Sequence, residues 1–245
     1  MKALKNYIYE GLLDDMEDVL NDTNVDIAKS IIIPFIKENY SMIGDIEIVQ
    51  QDDKFVVNIL SNTNRAYLAL KPKKSEITNG KFIFGKVDGD VDFSFNDIKT
   101  LEGAPTFVKG DYTIYGCKQL TEFDIQIDVV GGDFQCKSCP KLKTLKGAPK
   151  KCGNIFSCHM CTSLESLEYA SEPIKYFECS CCTKLKTLKG APKSVNAFDC
   201  SGCYSLDSLK YAPNANYFSC ASCKRKFTQD DIHAACTKKP NQILF

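Results

Sequence analysis

Apolar positions follow two regimes along the 245-residue chain. In the first, Leu4, Tyr7, Ile8, Leu12, Met16, Val19 and Leu20 recur at helical spacing, and Asp26–Tyr40 resumes the pattern with an interruption at Pro34, so two helical segments are expected. Ile46–Val49, Phe55–Leu60 and Ala66–Leu70 then alternate or run apolar with strand-forming residues, separated by polar turns. Together these predict a small α+β module. From Val91 onward the pattern changes to a short alternation such as Phe177-x-Cys179, each copy predicting a strand with one inward face.

These alternations are copies of one unit. Phe134-x-Cys136-x-x-Cys139-x-x-Leu142-x-x-Leu145 returns as Phe198-x-Cys200-x-x-Cys203-x-x-Leu206-x-x-Leu209, and Tyr112-x-Ile114-x-x-Cys117-x-x-Leu120 and Val91-x-Phe93-x-x-Asn96-x-Ile98 keep the same apolar positions. Starts at 91, 112, 134, 156, 177, 198 and 218 define seven rungs, and a period near 21 predicts a solenoid whose strands stack into a parallel sheet. Gly-Ala-Pro at 103–105, 147–149 and 190–192 predicts an extended, non-helical return path. Thr228, followed by Asp230, Asp231 and apolar spacing to Cys236, predicts a short closing helix.

The rungs resemble the leucine-rich repeat. Val195-x-x-Phe198-x-Cys200-x-x-Cys203-x-x-Leu206 is similar to the family's core pattern with one extra residue before the last leucine, and Asn96-x-Ile98 fits its asparagine form. The resemblance implies an α/β-type solenoid dominated by parallel β, with little convex helix, an N-terminal α+β cap and a short C-terminal helix. The chain divides on this reading into an N-terminal amphipathic or targeting segment (1–22), an α+β capping module (23–90), the repeat solenoid (91–226) and a C-terminal cap (227–245). The family's use of its concave sheet implies a protein partner.

Charge modifies this picture by its distribution. The 31 basic and 31 acidic side chains balance, which argues against a generally basic nucleic-acid binder or a membrane-surface protein. Residues 1–133 carry 14 Lys+Arg and 23 Asp+Glu, whereas 134–226 carry 15 and 6. Much of that positive charge falls on the return path, at Lys141, Lys143, Lys146, Lys184, Lys186 and Lys189, without a base-stacking motif, so no nucleic-acid partner is expected. No apolar run approaches the ~18 residues of a membrane span and no export signal is visible, which points to a cytoplasmic protein.

All 14 cysteines lie at or beyond Cys117. The C-x-x-C pairs at 136/139, 158/161, 200/203 and 220/223 suit a zinc-binding module, which is the alternative function. The repeat supplies another reading: Cys136, Cys158, Cys179, Cys200 and Cys220 occupy an inward strand position, and Cys117, Cys139, Cys161, Cys182, Cys203 and Cys223 the turn after it, forming two buried ladders of reduced thiols. Rung spacing of ~4.8 Å also falls within disulfide reach. Cys181, off the pattern and outward, is the candidate reactive thiol. His159 and His233 lack visible partners, and no acid/base pair, nucleophile or phosphate loop emerges, so neither an enzyme nor a cofactor is expected.

Strand residues that alternate with the core should face outward in columns. One reads Asp92, Thr113, Gln135, Ser157, Glu178, Asp199 and Ser219; the next reads Ser94, Tyr115, Lys137, His159, Ser180, Ser201 and Ala221. The preceding column, Asp90, Asp111, Asp133, Ile155, Tyr176, Ala197 and Tyr217, is acidic at one end and aromatic at the other. Tyr115, Tyr176 and Tyr217 are the leading candidates for partner contact, with Asp111, Asp133, Glu178, Asp199 and His159 beside them.

Met1–Asp15 resembles the N-termini of diverse proteins of crAss-like gut phages and, more loosely, the capsid-targeting peptides of T-even-type phages. This resemblance implies a phage-encoded protein, prohead-protease cleavage between Glu10 and Gly11, and a host or capsid protein as partner, in the infected bacterial cytoplasm or the virion. The same apolar spacing suits a plain amphipathic helix packed on the cap, and the two readings coexist.

Overall fold

The computed structural model describes residues 25–62, 65–71, 73–78, 80, 82–172, 175–236 and 238–244. The first expected helix and the Glu10–Gly11 processing site lie outside the described residues. Helix α1 (Val25–Asn39) buries Ala28, Ile32, Ile36 and Asn39, spaced along one face. It runs through Pro34, which corrects the expected interruption. Ser30, whose carbonyl loses its donor, and Pro34 are both exposed, so the missing bond falls on the solvent side while the opposite face stays packed.

The α+β segment starts both sheets of the molecule. β1 (Tyr40–Ile43) pairs antiparallel with β4 (Tyr67–Leu70), and β2 (Asp45–Gln51) with β3 (Lys54–Leu60). Of these, β2, β3 and β4 match the expected strands, while β1 and β5 (Phe82–Val87) were not anticipated. From there the chain alternates between sheets: β6 (Asp90–Asp92), β8 (Tyr112–Thr113), β10 (Phe134–Gln135) and β12 (Ile155–Ser157) join one, and β7 (Phe107–Val108), β9 (Val129–Val130) and β11 (Lys151–Cys152) the other. β13 (Tyr176–Glu178), β14 (Ser194–Asp199), β15 (Asn214–Ser219) and β16 (Gln242–Leu244) complete a ten-stranded sheet ordered β1-β4-β6-β8-β10-β12-β13-β14-β15-β16; the six-stranded sheet is β11-β9-β7-β5-β3-β2.

From β4 to β16 the long sheet is parallel, giving a β-solenoid. One inward position per strand stays in register: Leu68, Val91, Tyr112, Phe134, Phe156, Phe177, Phe198, Phe218 and Ile243. The seven expected rungs are thus extended by one strand at each end. Helix α2 (Gln229–Ala235), capped by Thr228 and Asp231 in a reciprocal box, occupies the return path of the last turn, and the chain then adds β16.

The other return paths are non-helical, as expected, but tightly turned rather than extended. Leu142 and Leu185 donate to the carbonyls of Cys139 and Cys182, and Ala148 and Ala191 to those of Leu145 and Leu188. The second turn places Gly147 and Gly190 at φ 88° and 89°, the left-handed third position of a type II turn. Tyr169 and Tyr211 hold the same conformation in other rungs, at φ 74° and 72°. Proline then leads the chain away from the turn.

Inside, the repeat becomes ladders. The aromatic rings from Tyr112 to Phe218 contact their neighbours at centroid distances of 5.1 to 5.9 Å, and Phe156 and Phe177 stack with their planes 5° from parallel. Beside them Cys136, Cys158, Cys179, Cys200 and Cys220 are buried, as the repeat predicts. The turn cysteines Cys117, Cys139, Cys161, Cys182, Cys203 and Cys223 each point a thiol at a strand carbonyl of the preceding rung, at 2.9 to 3.3 Å. Such a bond satisfies an acceptor that the end of the strand leaves open. Asn96 does the same in the first rung, donating to the Leu70 carbonyl at 3.4 Å, and also accepts Lys74 N–H at 2.8 Å.

Sheet-to-sheet corners divide the solenoid in two. In the N-terminal rungs the inward residues flanking the corner are four positions apart, as in Val108/Tyr112, Val130/Phe134 and Cys152/Phe156, with Gly110, Gly131, Gly132 or Gly153 between them. In the C-terminal rungs they are three apart, Val195/Phe198 and Ala215/Phe218, and β14 and β15 run through the bend as single six-residue strands. Rungs stack closely at the glycine corners: a Cβ on Gly153 would lie 1.8 Å from the carbonyl oxygen of Gly131.

Candidate interaction face

Corner geometry explains the switch from acids to aromatics in the column Asp90 to Tyr217. A corner breaks the backbone ladder and leaves an N–H to be satisfied. The Asp90 carboxylate accepts the Asp111 N–H at 2.9 Å, Asp111 accepts that of Asp133 at 2.8 Å, and Asp133 accepts that of Ile155 at 3.2 Å. From Tyr176 onward the backbone takes over, since Tyr176 N–H reaches the Asn154 carbonyl and Ala197 N–H that of Lys175. The side chains of Tyr176 and Tyr217 are released from that duty. Asp111 and Asp133, expected beside the tyrosines, are therefore committed to the scaffold. Burial and the neighbouring Asp111 charge raise the Asp133 carboxyl above its ordinary range, against the lowering effect of the Ile155 N–H.

Tyr176, Asp199 and Tyr217 meet in a shallow groove of about 210 Å³ on the outward side of the long sheet, closed at one side by Gln242 and Leu244 of β16. Tyr217 is 48% exposed and Leu244 57%. Burial, together with the carboxylates of Glu178 and Asp199, pushes the Tyr176 phenol up to about 12, so it remains a neutral donor at physiological pH. Tyr115 is placed elsewhere: three rungs away in another column, it packs edge-on against the exposed Phe95 ring at 5.0 Å.

Glu178 and His159 lie in a polar cluster next to the groove. Glu178 accepts from Ser157 Oγ at 2.7 Å and Ser180 Oγ at 3.3 Å, and Lys137 Nζ lies 3.4 Å from it. His159 Nδ1 lies 2.7 Å from Ser180 Oγ and 3.7 Å from Glu178. Burial alone would raise the Glu178 carboxyl; the Ser157 hydrogen bond and the charges of Lys137 and His159 outweigh it and hold the carboxyl below its ordinary range. Because one imidazole nitrogen faces both Ser180 and the carboxylate, the ring does not bridge them as a base between nucleophile and acid would. Ser157, Lys137 and Ser180 stood in the outward columns of the sequence, but only the register of three rungs brings them to one carboxylate.

On the return path the lysines meet acids of adjacent rungs. Lys150 pairs with Asp128 at 2.6 Å, Lys186 with Glu165 at 3.0 Å and Lys189 with Glu168 at 2.7 Å. Part of the basic surface expected from the sequence, including Lys186 and Lys189, is thereby compensated locally. Among the described residues no cluster of three or more ligand-type side chains is arranged to hold a metal ion, and no helix is long and apolar enough to cross a membrane. Burial pushes the Cys117 and Cys220 thiols up to about 12, and contacts between thiols push up Cys139, Cys158, Cys161 and Cys200. Cys181, the expected reactive thiol, occupies a left-handed turn at φ 58°, a Cβ on Gly202 would meet its sulfur at 3.0 Å, and its thiol is also raised. Comparison with known proteins finds no matching family model, no matching curated protein and no matching solved structure.

Proposed function

We propose that the chain is a non-enzymatic protein-binding scaffold of leucine-rich-repeat type, which engages its partner on the outward face of the long sheet at its C-terminal end. The observation that carries this reading is the groove framed by Tyr176 and Tyr217, where a column otherwise used to complete the backbone turns aromatic and open. Exposed tyrosines beside an ordered carboxylate cluster supply contact area, neutral hydroxyl donors and charge in one place. The phage reading rests on the sequence of Met1–Asp15; on it the partner is a host or capsid protein, met in the infected cytoplasm or the virion.

A photo-crosslinking residue introduced at Tyr217, and separately at Lys143 on the return path, tests the face in infected cells. Adducts to one partner from position 217, lost in Tyr176→Ala, support the proposal. Adducts from position 143 alone would move the contact to the opposite surface and refute it.

A further inference from the structure

Strand register gives the C-terminal groove a definite shape. Tyr176 on β13 stands opposite Ala197 on β14, and Ala197 opposite Tyr217 on β15, so a single methyl group separates two tyrosines in one outward column. Two strand spacings set the tyrosine Cα atoms about 10 Å apart. A flat group stacked between two rings needs about 7 to 8 Å, one van der Waals separation on each side. The groove's 210 Å³ corresponds to about seven waters, room for one inserted side chain but not for a folded element.

Beside this slot the charge is negative. Glu178 and Asp199 are paired in register two residues beyond Tyr176 and Ala197, on the same face. Their charges are not equally answered. Glu178 meets Lys137 and His159 as well as the hydroxyls of Ser157 and Ser180, whereas Asp199 accepts the Ser201 N–H at 2.9 Å through one carboxylate oxygen and meets no cation among the described residues. On the return path, by contrast, Asp128, Glu165 and Glu168 are each answered by a lysine. Asp199 therefore keeps an uncompensated charge in a groove that it lines together with both tyrosines.

We propose that the slot between Tyr176 and Tyr217 receives an arginine side chain of the partner protein, its guanidinium stacked between the two rings and its N–H groups donated to Asp199. Two ring faces and a carboxylate recognise a cation, and the flatness of the slot selects guanidinium over ammonium, because arginine stacks on aromatic faces, sheds water more readily and offers a carboxylate two parallel donors. The assignment rests on the binding face proposed for the long sheet and adds the chemistry of what that face binds.

A capped Gly-Gly-Arg-Gly-Gly peptide, titrated into the isotope-labelled full chain, is the probe, beside the same peptide carrying lysine or citrulline, which keeps arginine's shape without its charge. The arginine peptide should shift the amide signals of Ala197, Asp199 and Tyr217 saturably, with a Kd on the order of 1 mM. Lysine should bind about threefold and citrulline about tenfold more weakly. Asp199→Asn, which retains an acceptor for Ser201, should weaken the arginine peptide about tenfold. Ala197→Leu, checked for a cooperative melt, fills the slot from an outward position and should abolish the response, while Asp52→Asn, which removes an exposed charge from a turn of the other sheet, should leave it unchanged. Equal responses to arginine and to lysine or citrulline, or shifts that survive Ala197→Leu, would overturn the assignment. No response to arginine while position 217 still yields its crosslinked adduct would overturn this assignment alone; absence of both would also remove the binding face.

Discussion

The N-terminal and C-terminal rungs build the same interior but satisfy the backbone at the bend between sheets in different ways. At the glycine corners the chain lacks acceptors for backbone N–H groups, and the carboxylates of Asp90, Asp111 and Asp133 supply them. At the bends of the later rungs backbone carbonyls supply them instead, Asn154 to Tyr176 N–H and Lys175 to Ala197 N–H, while the turn cysteines serve strand-end carbonyls in both halves. One fewer residue at the bend separates these regimes, because a three-residue spacing lets β14 and β15 pass through without a corner. The glycine corner and the continuous bend are thus two solutions to backbone satisfaction, and only the second frees side chains on the outward face.

The sharpest way to break this comparison is to substitute at the corner. Gly153→Ala is expected to cost on the order of 3 kcal/mol, since its Cβ would meet backbone that cannot rotate away. Asn196→Ala, at the continuous bend, loses mainly an exposed side-chain bond to Asn216 and should cost about 0.5 kcal/mol. Denaturant unfolding of the pair reads the difference, and equal losses would show that the corners are not distinct.

Exchanging the turn chemistry is next in size. Asn96→Cys keeps a donor for the Leu70 carbonyl but loses the acceptor for Lys74 N–H, with an expected loss of about 2 kcal/mol by the same unfolding measurement. A neutral result would mean that thiol and amide are interchangeable at the first rung.

Tyr112→Phe should act in the other direction. Its hydroxyl is buried without a partner in a ladder that later uses phenylalanine, so the variant is expected to gain about 1 kcal/mol, seen as a higher Tm. Destabilisation would reveal a partner for that hydroxyl.

The smallest effect is a contrast in pH dependence. Asp133, raised in the fold, carries a penalty that is absent below the unfolded carboxylate range and develops fully above its folded pKa, so its contribution weakens stability as pH rises. Glu178, lowered in the fold, contributes stability above the unfolded range that disappears as pH falls through its folded pKa. Asp133→Asn should therefore remove a gain on acidification and Glu178→Gln a loss. Unfolding curves across the acid range should show shifts of opposite sign; shifts of the same sign would contradict the two environments.

Much of the interior was readable from residue spacing, because Phe, Cys and Leu recur at positions that a stacked strand must bury. Outward columns were readable for the same reason, yet their roles were not. Asp111 and Tyr176 share a column, and the difference between them depends on whether the backbone is continuous at the bend, which a one-residue change in spacing decides. β5 was missed because Phe82–Val87 pairs with β3 across an intervening β4, a connection without local signature. The Glu178 cluster needed register across three rungs, and the return path needed the left-handed turn at Gly147 and Gly190, to which the prolines gave no clue.

The change of corner also restricts how such a chain can lengthen in evolution. A duplicated rung brings its own hydrogen-bonding needs, so a copy of the Gly-Asp type inserted between β14 and β15 would present an unmatched bend to both neighbours, whereas a copy of the continuous type would be absorbed there. Growth by tandem duplication is therefore local: each half can extend among its own kind, and the junction near Asn154 and Ile155 is the seam at which a recombination between two ancestral arrays would leave its mark.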